Sequence, residues 1–269
     1  MTSPGSWTTA VAATTGLPVL DQLLLAVLGF AASFFSALAG GGAGLVQFPA
    51  LILIGLSFAG AVATHKVAVV ALGVGSTLRH VREGGLDWRF VGSMTLLGLP
   101  GVVFGTRIAL SIPDRPGKIV FGLVNIGLGL YSIFRPTLGL ERTPKNREGF
   151  GLVLGCIWTF GVGWLTGLVP SGPGVFTTLL FLTWFGCDYR QAVAITMVMV
   201  GLLWNSAGAI TAGLTGPVAW PWIPALVVGG LAGGYAGAHL GLLRGNRFIK
   251  RAYELLTLLM GASLIASAM

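Results

Sequence analysis

The sequence predicts an all-α polytopic membrane protein of two inverted-topology repeats. Each repeat has five apolar segments and opens with a Gly/Pro-interrupted helical hairpin. Three observations predict this. First, the 269 residues are 54% hydrophobic and 9% charged, with mean hydropathy +0.87, whereas a soluble domain carries about 25% charged residues. Second, a shift of 132 residues lays like on like: Gly40 and Gly42 on Gly172 and Gly174, Thr64 on Thr196, Gly84 and Trp88 on Gly216 and Trp220, Gly101 and Gly105 on Gly233 and Gly237. Gly55 and Ala61 fall on Gly186 and Ala192 after a slip of one residue, and register over most of a chain argues for two halves of common architecture. Third, Ala39-Gly40-Gly41-Gly42-Ala43-Gly44 and Ser171-Gly172-Pro173-Gly174 each break an apolar run that would otherwise read as a membrane helix.

The elements follow in order. Residues 1–20 form a polar, Ser/Thr-rich tail without the basic start of a cleaved signal peptide. The first repeat, 21–134, has apolar segments near 23–39, 45–58, 60–80, 89–110 and 117–134. The longest polar stretch, 135–149, reads as a cytoplasmic linker. The second repeat, 150–269, has segments near 150–169, 174–186, 190–212, 219–243 and 248–268. Several arms beside the glycine breaks fall short of the ~20 residues that cross a bilayer core. They read equally as spans or as re-entrant hairpins, since both return the chain to the same side.

Five segments per half is an odd number, so the second half is expected upside down relative to the first. The loop charges agree. With loops on alternating sides, one side collects Arg79, Arg82, Arg89, Arg135, Arg142, Lys145, Arg147, Arg190, Arg244, Arg247, Lys250 and Arg251. The other collects Arg115, Lys118 and Arg107. Cytoplasmic loops carry the Lys/Arg excess, which puts both termini outside the cytoplasm of a multi-pass inner-membrane protein. The surplus of 16 Lys+Arg over 8 Asp+Glu therefore reads as topology and not as nucleic-acid binding. Cys156 and Cys187 sit in apolar context and imply neither a disulfide nor a metal site.

Polar groups within apolar segments mark the candidate site, because an ionisable residue there costs about 2.5–3.5 kcal/mol on insertion scales. Thr64-His65-Lys66 lies near the start of the third segment. One reading gives Lys66 and the N–H groups of its helix start a positive pocket for an anion. The other has Lys66 snorkel to the surface. The glycine breaks, Gly40, Gly41, Gly42, Gly172 and Gly174, expose bare backbone to a cavity or else serve close helix packing. Gln47, Pro49, Ser171 and Thr177 share that neighbourhood. Asn205, midway along the eighth segment, either lines the pathway or bonds a neighbouring helix, and Asn125 reads as structural. His239, Glu254 and Asp21 read as peripheral. No Asp or Glu interrupts the middle of an apolar segment, which disfavours a carboxylate proton relay and a cation substrate. Short, Gly-interrupted segments at matching places in two halves point to a transporter's binding site. A membrane-embedded enzyme lacks support, with no HExxH and no paired intramembrane acids.

Gly40-Gly41-Gly42 with Pro49, then Ala61-Val62-Ala63-Thr64 and Lys66, duplicated with Gly84…Trp88 and Gly101…Gly105, resembles the sulfite exporter TauE/SafE family from about residue 23 to the end. His65 stands where many members carry Asn, and Ser171-Gly172-Pro173-Gly174 replaces a Gly run. The resemblance implies a transporter that exports a small sulfur-containing anion, sulfite or an organosulfonate, across the cytoplasmic membrane. Lys66, His65, Thr64, Thr196 and the amides around Gly42 and Gly174 would hold it. Alternating access would come from rocking one half against the other, with no cofactor, and with membrane lipid and the anion as partners. A passive anion channel of the same architecture is the alternative.

Overall fold

The computed structural model describes residues 18–109, 123, 126–169 and 172–266. Ser171, Asn125, Arg115, Lys118 and most of the polar tail lie outside the described residues. The described residues form helices joined by turns and loops, without a strand. The first half contains α1 (Pro18–Ala39), α2 (Ala43–Leu53), α3 (Phe58–Glu83), α4 (Trp88–Ala109) and α5 (residues 126–133). The second contains α6 (Gly149–Leu168), α7 (Pro173–Thr183), α8 (Tyr189–Thr196), a π-helical stretch Met197–Trp204, α9 (Asn205–Thr215), α10 (Ile223–Arg244) and α11 (Asn246–Ala266). Matched caps start the third segment of each half. Ser57 Oγ accepts from Gly60 N–H at 3.1 Å before α3, and Asp188 Oδ1 accepts from Gln191 N–H at 2.8 Å before α8. Such caps satisfy amides that the helix leaves without partners.

Among the described residues, six helices are long and apolar enough to cross a membrane: Val19–Ala39, Ala59–Glu83, Trp88–Ile108, Gly149–Leu168, Tyr189–Leu214 and Trp220–Arg244. Other described apolar segments fall short of this by length or by charge. α2 and α7 have 11 residues each, about 16 Å, roughly half of a ~30 Å hydrocarbon core. α11 is long enough at 21 residues, but Arg247, Lys250, Arg251 and Glu254 occupy its first half. Large apolar side chains such as Leu53, Leu214 and Phe150 face outward, at 87%, 82% and 76% exposure. Surface of that kind is suited to lipid.

The two halves exchange partners. α1 packs along α10, and α4 packs along α6. Small residues permit both approaches, since membrane helices associate by backbone-close packing instead of hydrophobic exclusion. A methyl group at Gly233 or Gly237 would overlap the carbonyl of Phe30 or Phe34 on α1. The matching positions on α4, Gly101 and Gly105, meet Phe160 O and Trp164 O on α6 in the same way. α3 and the π-helical stretch cross at the centre, where Gly73 rests on the backbone of Gly201. Trp204, fully buried, donates from Nε1 to Thr95 O at 2.9 Å and ties this stretch to α4. The eighth apolar segment, near 190–212, holds eight π-helical residues.

The linker is not slack. Thr143 N–H donates to Gly186 O at 2.8 Å, and Tyr189 N–H donates to Gly139 O at 2.9 Å, docking residues 139–145 on the turn between α7 and α8. Two residues read as peripheral loop or end groups form a buried clasp instead. Lys250 Nζ bonds Glu254 at 2.7 Å and donates to Ser132 Oγ at 3.0 Å and Arg135 O at 3.1 Å, fixing α11 to the end of α5. Ser132 Oγ in turn donates to Glu254 Oε1 at 2.9 Å.

Candidate functional site

Between α1 and α2 the chain passes Gly40, Gly41 and Gly42 at φ 81°, 149° and 112°, and Gly172 before α7 stands at φ 109°. A Cβ makes such angles costly, so glycine is what lets these turns form. The two turns touch. A Cβ on Gly41 would lie 2.7 Å from Gly174 Cα and from Val175 N. Beside this contact Thr178 Oγ1, on α7, donates to Gly40 O at 3.1 Å and lies 3.1 Å from Thr196 Oγ1. α2 and α7 then start from Gly42 and Gly172 without a side-chain cap. Their positive ends, where first-turn amides have no intrahelical partner, meet at one place.

That place is a cavity of about 50 Å³, with room for a few waters or one small polyatomic anion. Gly41, Gly42, Ala43 and Gly44 form one wall, Gly172, Pro173 and Gly174 another, and His65, Lys66 and Asn205 are among the side chains that line the rest. Lys66 lies eight residues into α3, about 12 Å from its start, and is 3% exposed. It does not snorkel out of the bundle. Its Nζ donates to Thr166 O on α6 at 3.1 Å, and no carboxylate pairs with it among the described residues. A buried ammonium in that condition carries a desolvation cost of several kcal/mol that a counter-ion offsets. The helix ends beside Lys66 are those of α2 and α7. The sequence had suggested the start of α3 itself, which Ser57 caps some distance away.

His65, 2% exposed, bonds Gln47 Oε1 through Nδ1 at 2.7 Å, which ties α3 to α2. Asn205 Nδ2 donates to Gly201 O at 3.3 Å within its own helix. The remaining expected residues stand behind the wall. Thr64 Oγ1 accepts from Ala219 N–H at 2.9 Å, and Thr177 Oγ1 donates to Pro173 O at 3.0 Å. Gly40 and Thr196 are buried beside the contact between the breaks, joined through Thr178, and Gln47 is buried against His65. Sequence reasoning missed Ser36, Thr166 and Thr178. Each is a hydroxyl inside an apolar run within six residues of a glycine break, and that spacing was the available signal. It also missed Met197, Val200 and Gly201, which reach the cavity from the π-helical stretch. Among the described residues no group of three or more His, Cys, Asp or Glu could hold a metal ion.

An all-helical bundle with six candidate spans and a buried polar cavity defines a multi-pass membrane protein. The chain belongs to the sulfite exporter TauE/SafE family, whose model matches residues 25–264. This is a family of membrane transporters, not of enzymes. A Haemophilus influenzae "probable membrane transporter protein" is 28% identical over 245 residues, covering 90% of this chain and 94% of the relative. The Escherichia coli K12 probable membrane transporter protein YfcA is 28% identical over 259 residues, covering 92% and 91%. The Bacillus subtilis probable membrane transporter protein YunE is 25% identical over 273 residues, covering 91% and 98%. No solved structure matches the chain.

Proposed function

We propose that this protein is a secondary transporter that exports a small sulfur-containing anion, sulfite or an organosulfonate, across the cytoplasmic membrane by alternating access. One observation carries the reading: the Lys66 ammonium is buried, with no carboxylate partner among the described residues, beside a cavity where two uncapped helix starts meet. Backbone amides and a single cation suit an oxyanion, because they donate from several directions and accept from none. The cavity's modest size favours a headgroup of sulfite or sulfonate dimensions, and the family's description names sulfite.

Lys66, His65, Asn205 and the backbone of Gly41, Gly42, Gly172 and Gly174 contact the anion in this reading. Thr64, Gln47, Thr177, Thr196 and Gly40 hold those groups in place. The exchanged packing of α1 on α10 and α4 on α6 supports two repeats of inverted topology related by an axis in the membrane plane. The cavity then lies where the repeats meet, and rocking one against the other opens it to alternate sides. The loop charges support an inner-membrane protein with both termini outside the cytoplasm.

The test is labelled sulfite counterflow in proteoliposomes loaded with unlabelled sulfite. A saturable overshoot is expected. Single-channel currents without counterflow would establish the passive channel instead. A thermal-shift panel of sulfite, methanesulfonate, sulfate and chloride ranks the anions, since ligand stabilisation grows with the logarithm of concentration over Kd.

A further inference from the structure

A second cavity, of about 170 Å³, opens between the end of α3 and the start of α8. His80, Arg142, Arg190 and Gln191 face it. His80 is 3% exposed, yet among the described residues its Nε2 has no partner, and Gln191 Oε1 is also buried without one. Native proteins rarely leave buried polar atoms unmatched, and such atoms commonly await a water or ligand. The charge favours an anion. Glu83 is engaged by Arg79 at 2.9 Å, and Asp188 accepts from Gln191 N–H at 2.8 Å. With Glu83 paired, Arg142 and Arg190 outnumber the Asp188 carboxylate, which its N–H bond leaves charged, by one positive charge, and Arg190 is braced by Leu242 O at 2.6 Å.

This second cavity lies on the same seam as the first. Fourteen residues separate Lys66 from His80 on α3, close to four turns, so they share a face about 21 Å apart. Between them Val69, Gly73 and Ser76 keep the same spacing, and Ser76 Oγ is fully buried with no partner among the described residues. Across the seam Gln191 and Ala194 line the outer cavity, while Met197 and Gly201, further along the same continuous helix, line the central one. The backbone contact of Gly73 on Gly201 closes the seam between them.

We propose that the His80–Arg142–Arg190 cavity is a second oxyanion subsite, and that the seam through Ser76 passes the anion between it and the Lys66 cavity. This rests on the central cavity being an anion site but adds a site of its own. Isothermal titration of the purified full chain in detergent tests it, with sodium sulfite under argon and methanesulfonate as a parallel probe. Wild type is expected to bind two equivalents. Arg142→Gln, on an exposed loop, and His80→Gln should each weaken one component at least tenfold and leave the other unchanged. Lys66→Ala should do the reverse. Because His80 is buried, thermal unfolding reports whether His80→Gln is folded, and Arg142→Gln decides if it is not. A single equivalent lost in Lys66→Ala and untouched by Arg142→Gln overturns the second subsite and spares the central one. Binding that survives Lys66→Ala but is lost in Arg142→Gln overturns the central reading and keeps the outer site. No binding of either probe overturns both.

Discussion

Gly41 and Gly174 are in backbone contact: the space where a Cβ on Gly41 would sit is 2.7 Å from Gly174 Cα. The two helix breaks, 133 positions apart in sequence, therefore form a single structure. Neither can shift without the other, and the cavity beside them depends on that contact.

Gly41→Ala puts a methyl into that contact and a side chain at φ 149°. A backbone held in such a region costs on the order of 1–3 kcal/mol. Thermal unfolding in detergent should show the loss together with abolished anion binding. Gly92→Ala, on α4 with nothing within 4 Å of the added Cβ, should be neutral or stabilising by up to about 1 kcal/mol.

Lys66→Ala removes the buried cation and its bond to Thr166 O. The apo protein should keep its helical content, because removing an unpaired buried charge also removes its desolvation cost. The thermal shift produced by sulfite should disappear. An unchanged shift would assign Lys66 a packing role.

Thr178→Val is nearly isosteric but loses the bond to Gly40 O and the contact with Thr196 Oγ1. Hydrogen bonds between membrane helices contribute about 0.6 to 1.7 kcal/mol. A drop of that size is expected in unfolding, with a larger proportional loss of counterflow if the contact between the breaks sets the cavity's shape.

Lys250→Met leaves Glu254, whose side chain is 16% exposed, without its ion-pair partner. Breaking a partly buried pair from one side is expected to cost about 1–3 kcal/mol, discounted from the fully buried case. The double variant with Glu254→Gln should recover part of the loss, which a double-mutant cycle measures.

Cys187 sits in the turn between α7 and α8, where burial pushes its thiol up from 9.0 to about 11 against the opposing effect of Arg147. The thiol stays neutral in the folded protein while an unfolded one ionises. The unfolded state therefore binds fewer protons between about pH 9 and 11, and stability should fall as pH rises through that window. Cys187→Ala should remove this part of the slope, as read from unfolding temperatures across the range.

Much of this was legible along the chain. Hydropathy placed the helices, because burial in lipid is a property each segment carries by itself. The glycines at 40–42 and 172 announced chain reversals, since φ values that favour glycine are a local matter. The duplication showed that matching residues, such as Gly101 and Gly233, would have matching duties, and both line helix-to-helix contacts. Lys66 stood out because ammonium groups are costly in hydrocarbon.

Other features depended on partners distant in sequence. Whether Lys66 reached water or a cavity rested on Thr166, 100 residues away. That Thr64 would bond Ala219, and so turn from the cavity its neighbours line, was invisible in Thr64 itself. The clasp of Lys250 on Ser132 and Glu254 likewise hid behind a pattern of loop charges. The π-helical stretch at Met197–Trp204 matches, in the first half, the residues from His65 to Leu72, which stay α-helical. Local composition thus determined that this chain enters a membrane and where it bends. Only tertiary packing decided which bends meet and which polar groups face the space between them, because side-chain direction within a bundle is set by what the neighbouring helices leave open.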